Sequence, residues 1–207
     1  MTRIIRYGDQ PDLRWANDGG TTRALWSDPS GERRVSVAML ERPAAFSPLP
    51  GMARLLVLLD PLTVEIQIDG RISKLKRGGV LSFLGTQRVA LLALDRPGRV
   101  LNLMAHMESW EPYLSLDPAS AELTGWVASD AIVWNGNRLD RGDLVIGAAP
   151  PSAMWTIAFR PVASSSASWR TGVWLSREDI AGTAGPRAAR LDPISEELSF
   201  PLRAEFS

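Results

Sequence analysis

The sequence predicts an all-β protein made of two similar barrels, with few or no helices. Two observations lead to this fold class. Short segments of apolar or alternating character recur at close, regular spacing, and Gly, Pro, Asn or Asp residues separate them, as is typical of sandwiches and barrels. A stretch of the first half of the chain is also repeated in the second half, which indicates a duplication.

The strands of the first half are predicted from the spacing of apolar side chains. Residues 33–41 alternate, whereas residues 54–60 are almost continuously apolar, as expected for a strand covered on both faces. The Asp69-Gly70 pair predicts a hairpin turn, and Pro43, Pro48 and Pro50 predict an extended connection. The predicted strands are 33–41, 54–60, 63–68, 71–75, 80–84, 88–94 and 99–105.

The internal repeat relates residues 68–85 to residues 134–147. Each copy contains a hairpin turn, a strand, an Arg-Gly turn, a second strand and a glycine, and a further apolar strand follows at 89–94 or 155–159. Chance is the alternative explanation, because Gly and Arg are common in turns. We predict two domains, residues 1–110 and 111–207, with a crossing at 108–118, a serine-rich linker at 164–168 and a tail strand at 198–206.

Composition and charge exclude several functional classes. The 207 residues include 23 Lys and Arg against 23 Asp and Glu, which gives no electrostatic reason to expect binding to nucleic acid or to an anionic membrane. The chain has no Cys and one His, so we expect no disulfide, no metal and no cofactor. It also lacks a run of membrane-spanning length and a signal-peptide core, so we expect a cytoplasmic location.

A glycine-rich motif near the N-terminus is the strongest functional signal. Its asparagine and glycines favour a sharp turn. An arginine beside hydroxyls and glycine N–H groups is suited to hold a carboxylate, although an ordinary turn with a solvated arginine is the alternative interpretation. The motif reads Trp15-Ala-Asn17-Asp-Gly19-Gly20-Thr21-Thr22-Arg23.

This motif resembles the signature that opens the HutD/Ves family. Two later blocks resemble the same family, in the family's order, and the matches cover roughly the first half of the chain. The resemblance implies a duplicated cupin-type barrel (a bicupin), in agreement with the repeat, and by family analogy a homodimer. It also implies a regulatory binder of histidine-utilisation intermediates such as formylglutamate or urocanate. The two blocks are Phe46-Ser47-Pro-Leu-Pro-Gly-Met-Ala-Arg54 and Leu101-Asn102-Leu103-Met104.

Together these blocks predict a pocket for a small anionic metabolite. Arg23 and Arg54 are expected to converge on a dicarboxylate, with neutral donors and an apolar wall around them. Alternatively, Arg54 pairs with Asp60 or Glu41 as a structural link, and the aromatic residues belong to the core. Strand alternation places Asn102, Met104 and His106 on one face. The predicted ligand-binding residues are Trp15, Asn17, Gly19, Gly20, Thr22, Arg23, Phe46, Ser47, Arg54, Asn102, Met104 and His106.

Binding is preferred to catalysis because the sequence offers few general bases, and no catalytic residue is predicted. The alternative is a metal-free isomerase or lyase acting on a carboxylate or sugar, with His106 or Glu41 as the acid/base. A third interpretation is a structural or dimerisation role with a solid barrel interior. Asp18, Leu101 and His106 depart from the family pattern, which bears on the identity of the ligand more than on the fold.

Overall fold

A computed structural model describes residues 2–115, 123–147 and 154–162 of the chain. Within these residues every regular element is a strand, and the prediction of an all-β, cupin-type fold is confirmed. The strands are Arg3–Ile5 (β1), Leu13–Arg14 (β2), Gly20–Ser27 (β3), Arg33–Leu40 (β4), Ala44–Ala45 (β5), Met52–Leu58 (β6), Val64–Ile68 (β7), Arg71–Leu75 (β8), Val80–Leu84 (β9), Val89–Leu94 (β10), Gly98–His106 (β11), Trp110–Ser115 (β12), Leu123–Ala128 (β13), Ile132–Trp134 (β14), Asn137–Leu139 (β15), Leu144–Ile146 (β16) and Met154–Pro161 (β17).

Three antiparallel sheets are stacked, and the middle one contributes to two cores. The central sheet has the strand order β2-β3-β4-β11-β6-β9. One of its faces packs on the upper sheet, β5-β10-β7-β8, and the other packs on the lower sheet, β1-β16-β13-β17-β12. The short hairpin β14-β15 packs on the far side of the lower sheet through Trp126, Trp134 and Met154.

Side-chain alternation in the central strands decides which core each residue joins. In β6, Leu56 and Leu58 face the upper sheet, whereas Leu55 and Val57 face the lower sheet. All four are at most 9% exposed, so the prediction of a strand covered on both faces is confirmed. The face on which a side chain of the central sheet lies therefore determines which of the two cores it joins.

The other predicted strands of the first half lie within two residues of their predicted bounds. The predicted crossing at 108–118 contains a strand, because β12 occupies Trp110–Ser115 and pairs in register with β17. Pro112, within this segment, lies opposite Phe159 in an edge strand. An edge strand tolerates proline because one of its sides forms no ladder hydrogen bonds.

The repeat is visible in its turns but not in its last strand. Asp69-Gly70 and Asn135-Gly136 both have positive φ angles, and both close two-stranded hairpins. However, β10 joins the upper sheet beside β7, whereas β17 lies inside the lower sheet between β13 and β12. The duplication and the boundary after residue 110 remain predictions, and β1 pairs with β16 across that boundary. The predicted linker at 164–168 and tail strand at 198–206 lie outside the described residues.

Candidate functional site

Arg54 is a buried cation in the core between the central and upper sheets. It is 8% exposed, and its guanidinium carbon lies 4.8 Å from the ring centroid of Phe83 and 5.5 Å from that of Phe46. Its Nη1 donates to the carbonyl oxygen of Ser47 at 3.4 Å, and its Nε has no partner among the described residues. Burial lowers the pKa of Arg54 to about 10, so the side chain remains cationic at neutral pH.

The structural link that the sequence allowed for Arg54 is absent from the described part of the chain. Asp60 instead binds Arg99 and Arg141, both at 2.8 Å, and Glu41 binds Arg14 at 2.8 Å near the surface. Described residues therefore provide Arg54 with no carboxylate partner. A buried charge without a counter-ion is costly for a fold to retain. Two aromatic rings, and no described carboxylate, therefore surround the Arg54 guanidinium.

Three more polar side chains lie on the same face of the central sheet. Ser36 of β4 lies directly opposite Asn102 of β11, and Arg54 of β6 lies opposite Met104 two residues further along β11. Ser36 Oγ, Asn102 Oδ1 and His106 Nδ1 are buried, and each lacks a partner among the described residues. Because buried polar atoms are nearly always hydrogen-bonded, such a cluster is a place to expect a ligand or ordered water. We call these four polar residues and Met104 the Arg54 site.

The glycine-rich motif forms a wall of the Arg54 site. Trp15 Nε1 donates to Thr22 Oγ1 at 2.7 Å, and the Trp15 ring meets Phe46 edge-on, with centroids 5.8 Å apart. Asn17 Nδ2 donates to the carbonyl oxygen of Ala45 at 2.7 Å, next to Phe46. Asn17 thus fixes the segment that supplies the aromatic wall of this face. Eight of the predicted residues are associated with the face: Trp15, Thr22, Phe46, Ser47, Arg54, Asn102, Met104 and His106.

Gly19 and Gly20 are needed for close approach rather than for an unusual backbone angle. A Cβ atom on Gly19 would lie 2.3 Å from Ala44 Cβ, and one on Gly20 would lie 2.0 Å from the carbonyl oxygen of Met39. The positive φ of this turn, 54°, falls on Asp18 instead. The Gly19 N–H already donates to Asn17 Oδ1 at 3.0 Å, so the expectation that it is free to bind an anion is wrong.

Arg23 lies on the opposite face of the central sheet, so its predicted convergence with Arg54 is wrong. It pairs in register with Val37, whose side chain packs towards the lower sheet. Its guanidinium binds both carboxylate oxygens of Asp12 at 2.8 Å and lies 4.7 Å from the ring centroid of Tyr7. The physical reason is strand alternation, because a one-residue change of position moves a side chain to the other face.

Three residues of this face escaped the sequence-based prediction, namely Phe83, Ser36 and Arg34. Arg34 lies opposite Met104 on the side away from Arg54. It is exposed, its Nε donates to the carbonyl oxygen of Gly31 at 3.2 Å, and no described carboxylate binds it. Pairing the predicted strands 33–41 and 99–105 in register would have identified Arg34 and Ser36, but the sequence alone does not give that register.

The Arg54 site does not fit a metal ion. Metal-dependent cupins hold their ion with several histidines and a glutamate, because imidazole and carboxylate ligands suit transition metals. Across residues 2–115, 123–147 and 154–162, no group of three or more His, Cys, Asp or Glu residues is arranged to hold a metal. In the same residues, no helix has the length and apolar character needed to cross a bilayer.

Comparisons with known proteins agree with the fold. The family model described as HutD matches residues 7–139. A curated protein from Pseudomonas putida, described as an uncharacterized 21.2 kDa protein in the hutC 3′ region, is 29% identical over 109 residues. That match covers 49% of this chain and 57% of the relative, so the chain spans little more than half the length of the relative.

Two solved structures are similar over most of the chain. HutD from Pseudomonas fluorescens SBW25, determined in a formate condition, has a TM-score of 0.66 at 19% identity and covers 79% of this chain and 100% of its own. A conserved protein of unknown function from Pseudomonas aeruginosa PAO1 has a TM-score of 0.62 at 19% identity, with the same coverage. At these identities the two likenesses show the fold alone.

Proposed function

This chain belongs to the HutD family, and from that premise we propose that it binds a small carboxylate metabolite at Arg54 without a metal. One observation carries the proposal: Arg54 is cationic, 8% exposed and flanked by two aromatic rings, and no described carboxylate neutralises it. A ligand carboxylate would supply the missing counter-ion through charge-assisted hydrogen bonds to the guanidinium. The affinity would benefit from burial, because water and salt screen a buried pair weakly.

The other groups of the site support a ligand with a second polar function. Asn102 Oδ1 can only accept a hydrogen bond, whereas Ser36 Oγ and His106 Nδ1 can each donate or accept one, depending on proton position. A ligand that carries a carboxylate and an N–H group would satisfy Arg54 and Asn102 together. Formylglutamate and urocanate, the intermediates implied by the family resemblance, both have this combination.

We propose further that binding serves regulation of histidine utilisation rather than turnover. The HutD family match and the P. putida relative, described by its position in the hutC 3′ region, support this context.

Glu41, one of the two predicted acid/base candidates, is held by Arg14 away from Arg54, which leaves His106 as the remaining one. A cytoplasmic location and a homodimer remain predictions, and light scattering of the full chain tests the dimer.

The test is titration of the full chain with formate, urocanate and formylglutamate, followed by calorimetry and thermal unfolding. A specific ligand should raise the unfolding temperature with increasing concentration, because it binds only the folded state. Arg54→Gln should weaken binding about 100-fold, since it removes one partner of a buried charge-assisted contact. Arg23→Gln is the matched control, and it should bind as the unmodified chain does. Equal affinity of the Arg54→Gln protein and the unmodified chain would refute the proposal.

A further inference from the structure

We propose that Arg34 is a specificity-determining residue of the Arg54 site, and that it makes the site select dicarboxylates over monocarboxylates. This inference rests on carboxylate binding at Arg54, as proposed above. It adds a second anion position on the same face, near the exposed start of β4. It replaces the predicted pairing of Arg54 with Arg23, which lies on the other side of the sheet.

The register of three neighbouring strands places the two arginines on either side of Met104. Met104 of β11 lies opposite Arg54 of β6 and opposite Arg34 of β4. Residues directly opposite each other in antiparallel strands project from the same face. Adjacent strands are about 4.8 Å apart, so the two arginine Cα atoms are separated by about 10 Å across the sheet.

The two arginines have different surroundings, which gives them different roles. Arg54 is buried between aromatic rings, whereas Arg34 is exposed and uses its Nε to contact the carbonyl oxygen of Gly31. Among the residues that the structure describes, no carboxylate binds either of them. The preceding residue, Arg33, faces the lower sheet, where it binds Asp28 at 3.0 Å and lies 4.0 Å from the ring centroid of Trp110. Arg34 is therefore the member of this adjacent pair that is available to a ligand.

This arrangement defines the class of ligand. One carboxylate would bind Arg54 in the interior, and a short aliphatic chain would cross the Met104 side chain. The second carboxylate would bind Arg34 near the exposed start of β4. A monocarboxylate would fill the inner position alone and would not interact with Arg34. Because Arg34 is exposed, we expect it to contribute to selectivity rather than to most of the affinity.

The experiment measures the affinity of the full chain for succinate, glutarate and adipate, and for the monomethyl ester of each, by calorimetry at low salt. The unmodified chain should bind its preferred dicarboxylate about fivefold more tightly than the matching monoester, as expected for one exposed ion pair. Arg34→Gln should abolish this preference while leaving the monoester affinity unchanged, and Arg34→Glu should reverse it. Arg96→Gln, which removes an exposed arginine near the opposite end of β11, is the charge-matched control and should keep the preference.

The outcomes separate this inference from carboxylate binding itself. An unmodified chain without a preference for dicarboxylates would overturn the role of Arg34, as would a preference that survives in Arg34→Gln. A preference lost equally in Arg96→Gln would also overturn it, because the effect would then come from net charge. In each of these cases carboxylate binding at Arg54 would still stand. Binding of the monoesters that is unaffected by Arg54→Gln would instead refute the proposed function, and the role of Arg34 with it.

Discussion

At the scale of single residues, Arg54 combines a cost to folding with a use in binding. Its folded-state pKa of about 10 lies well below the ordinary value of an arginine, because burial disfavours the charged form. The guanidinium is charged in both the folded and the unfolded chain at neutral pH. The destabilisation is therefore fully present below about pH 10 and is relieved as the pH rises through the interval between the two values. A residue retained at such a cost is expected to have a function.

We predict that Arg54→Met stabilises the ligand-free protein while it removes carboxylate binding. Replacing a buried unneutralised charge by an apolar side chain of similar length should raise the free energy of unfolding by about 1–3 kcal/mol. At this chain length each kcal/mol corresponds to about 2–4 °C in unfolding temperature. The measurement is urea and thermal unfolding at pH 7 in a buffer without carboxylates.

Arg23→Met is the matched control for this change. Arg23 has an intramolecular partner, Asp12, in a bidentate contact, so its replacement should leave the free energy of unfolding unchanged or lower it. We therefore expect a gain of stability in Arg54→Met and no gain in Arg23→Met. A loss of stability in Arg54→Met as large as that in Arg23→Met would show that Arg54 is structural.

At the scale of elements, the glycine-rich turn brings β3 and β5 together. Gly19 leaves room for Ala44, and the Asn17 side chain bonds to the neighbouring Ala45 carbonyl. The segment after β5 carries Phe46, which packs against Trp15 and Phe83. The turn therefore determines the position of the aromatic wall around Arg54, although none of its glycines is required to contact a ligand.

We predict that Gly19→Ala destabilises the fold and that Ala44→Gly partly restores it. The new methyl group would lie 2.3 Å from Ala44 Cβ, an overlap that should cost about 1–3 kcal/mol. In the double variant the overlap is gone, so the two changes should be strongly non-additive in urea unfolding. Gly8→Ala is the control and should be close to neutral, since nothing lies within 4 Å of the position its Cβ would take. Additive losses in the double variant would rule out this contact as the reason for Gly19.

Elements were predictable from the sequence because their signals are local. Strands β8 and β9 have their predicted bounds, since alternation and flanking turn residues are properties of a few neighbouring positions. The grouping of the site residues was less predictable. Arg23 and Arg54 stand on opposite faces because of the register between strands that are distant in the chain. Arg54 and Asn102 were identified through the family resemblance, whereas Arg34 and Ser36 required the register itself.

At the scale of the whole molecule, an ionic network joins the central sheet to the turn between β15 and β16. Asp60 accepts hydrogen bonds from Arg99 at 2.8 Å and 2.9 Å and from Arg141 at 2.8 Å. Arg141 also binds Asp130 at 2.7 Å, and Asp130 in turn binds Arg77. These charges supplement the apolar core between the central and lower sheets. The network thus connects parts of the chain on either side of the predicted boundary after residue 110.

The network makes stability depend on acid pH. Burial alone would raise the pKa of Asp60, but hydrogen bonds from Arg99 and Arg141 outweigh it and lower the pKa to about 2. Because this folded-state value lies below the ordinary value of 3.8, the contribution is fully present above about pH 4. It is lost as the pH falls towards 2, and the difference between the two values corresponds to at most about 2 kcal/mol, because solvent screens part of the interaction.

We predict that Asp60→Asn lowers the free energy of unfolding at pH 7 by at least about 2 kcal/mol, because it also leaves Arg99 and Arg141 without their shared counter-ion. Between pH 4 and pH 2, the free energy of unfolding of this variant should fall less than that of the unmodified chain, since the group that titrates there is absent. Urea unfolding at several pH values measures both effects. Glu65→Gln, which removes an exposed partner of Lys74 at 3.7 Å, should change stability by less than about 0.5 kcal/mol. If Asp60→Asn kept the full acid dependence, the linkage would have to come from other carboxylates, and the network would join the sheets without governing their response to pH.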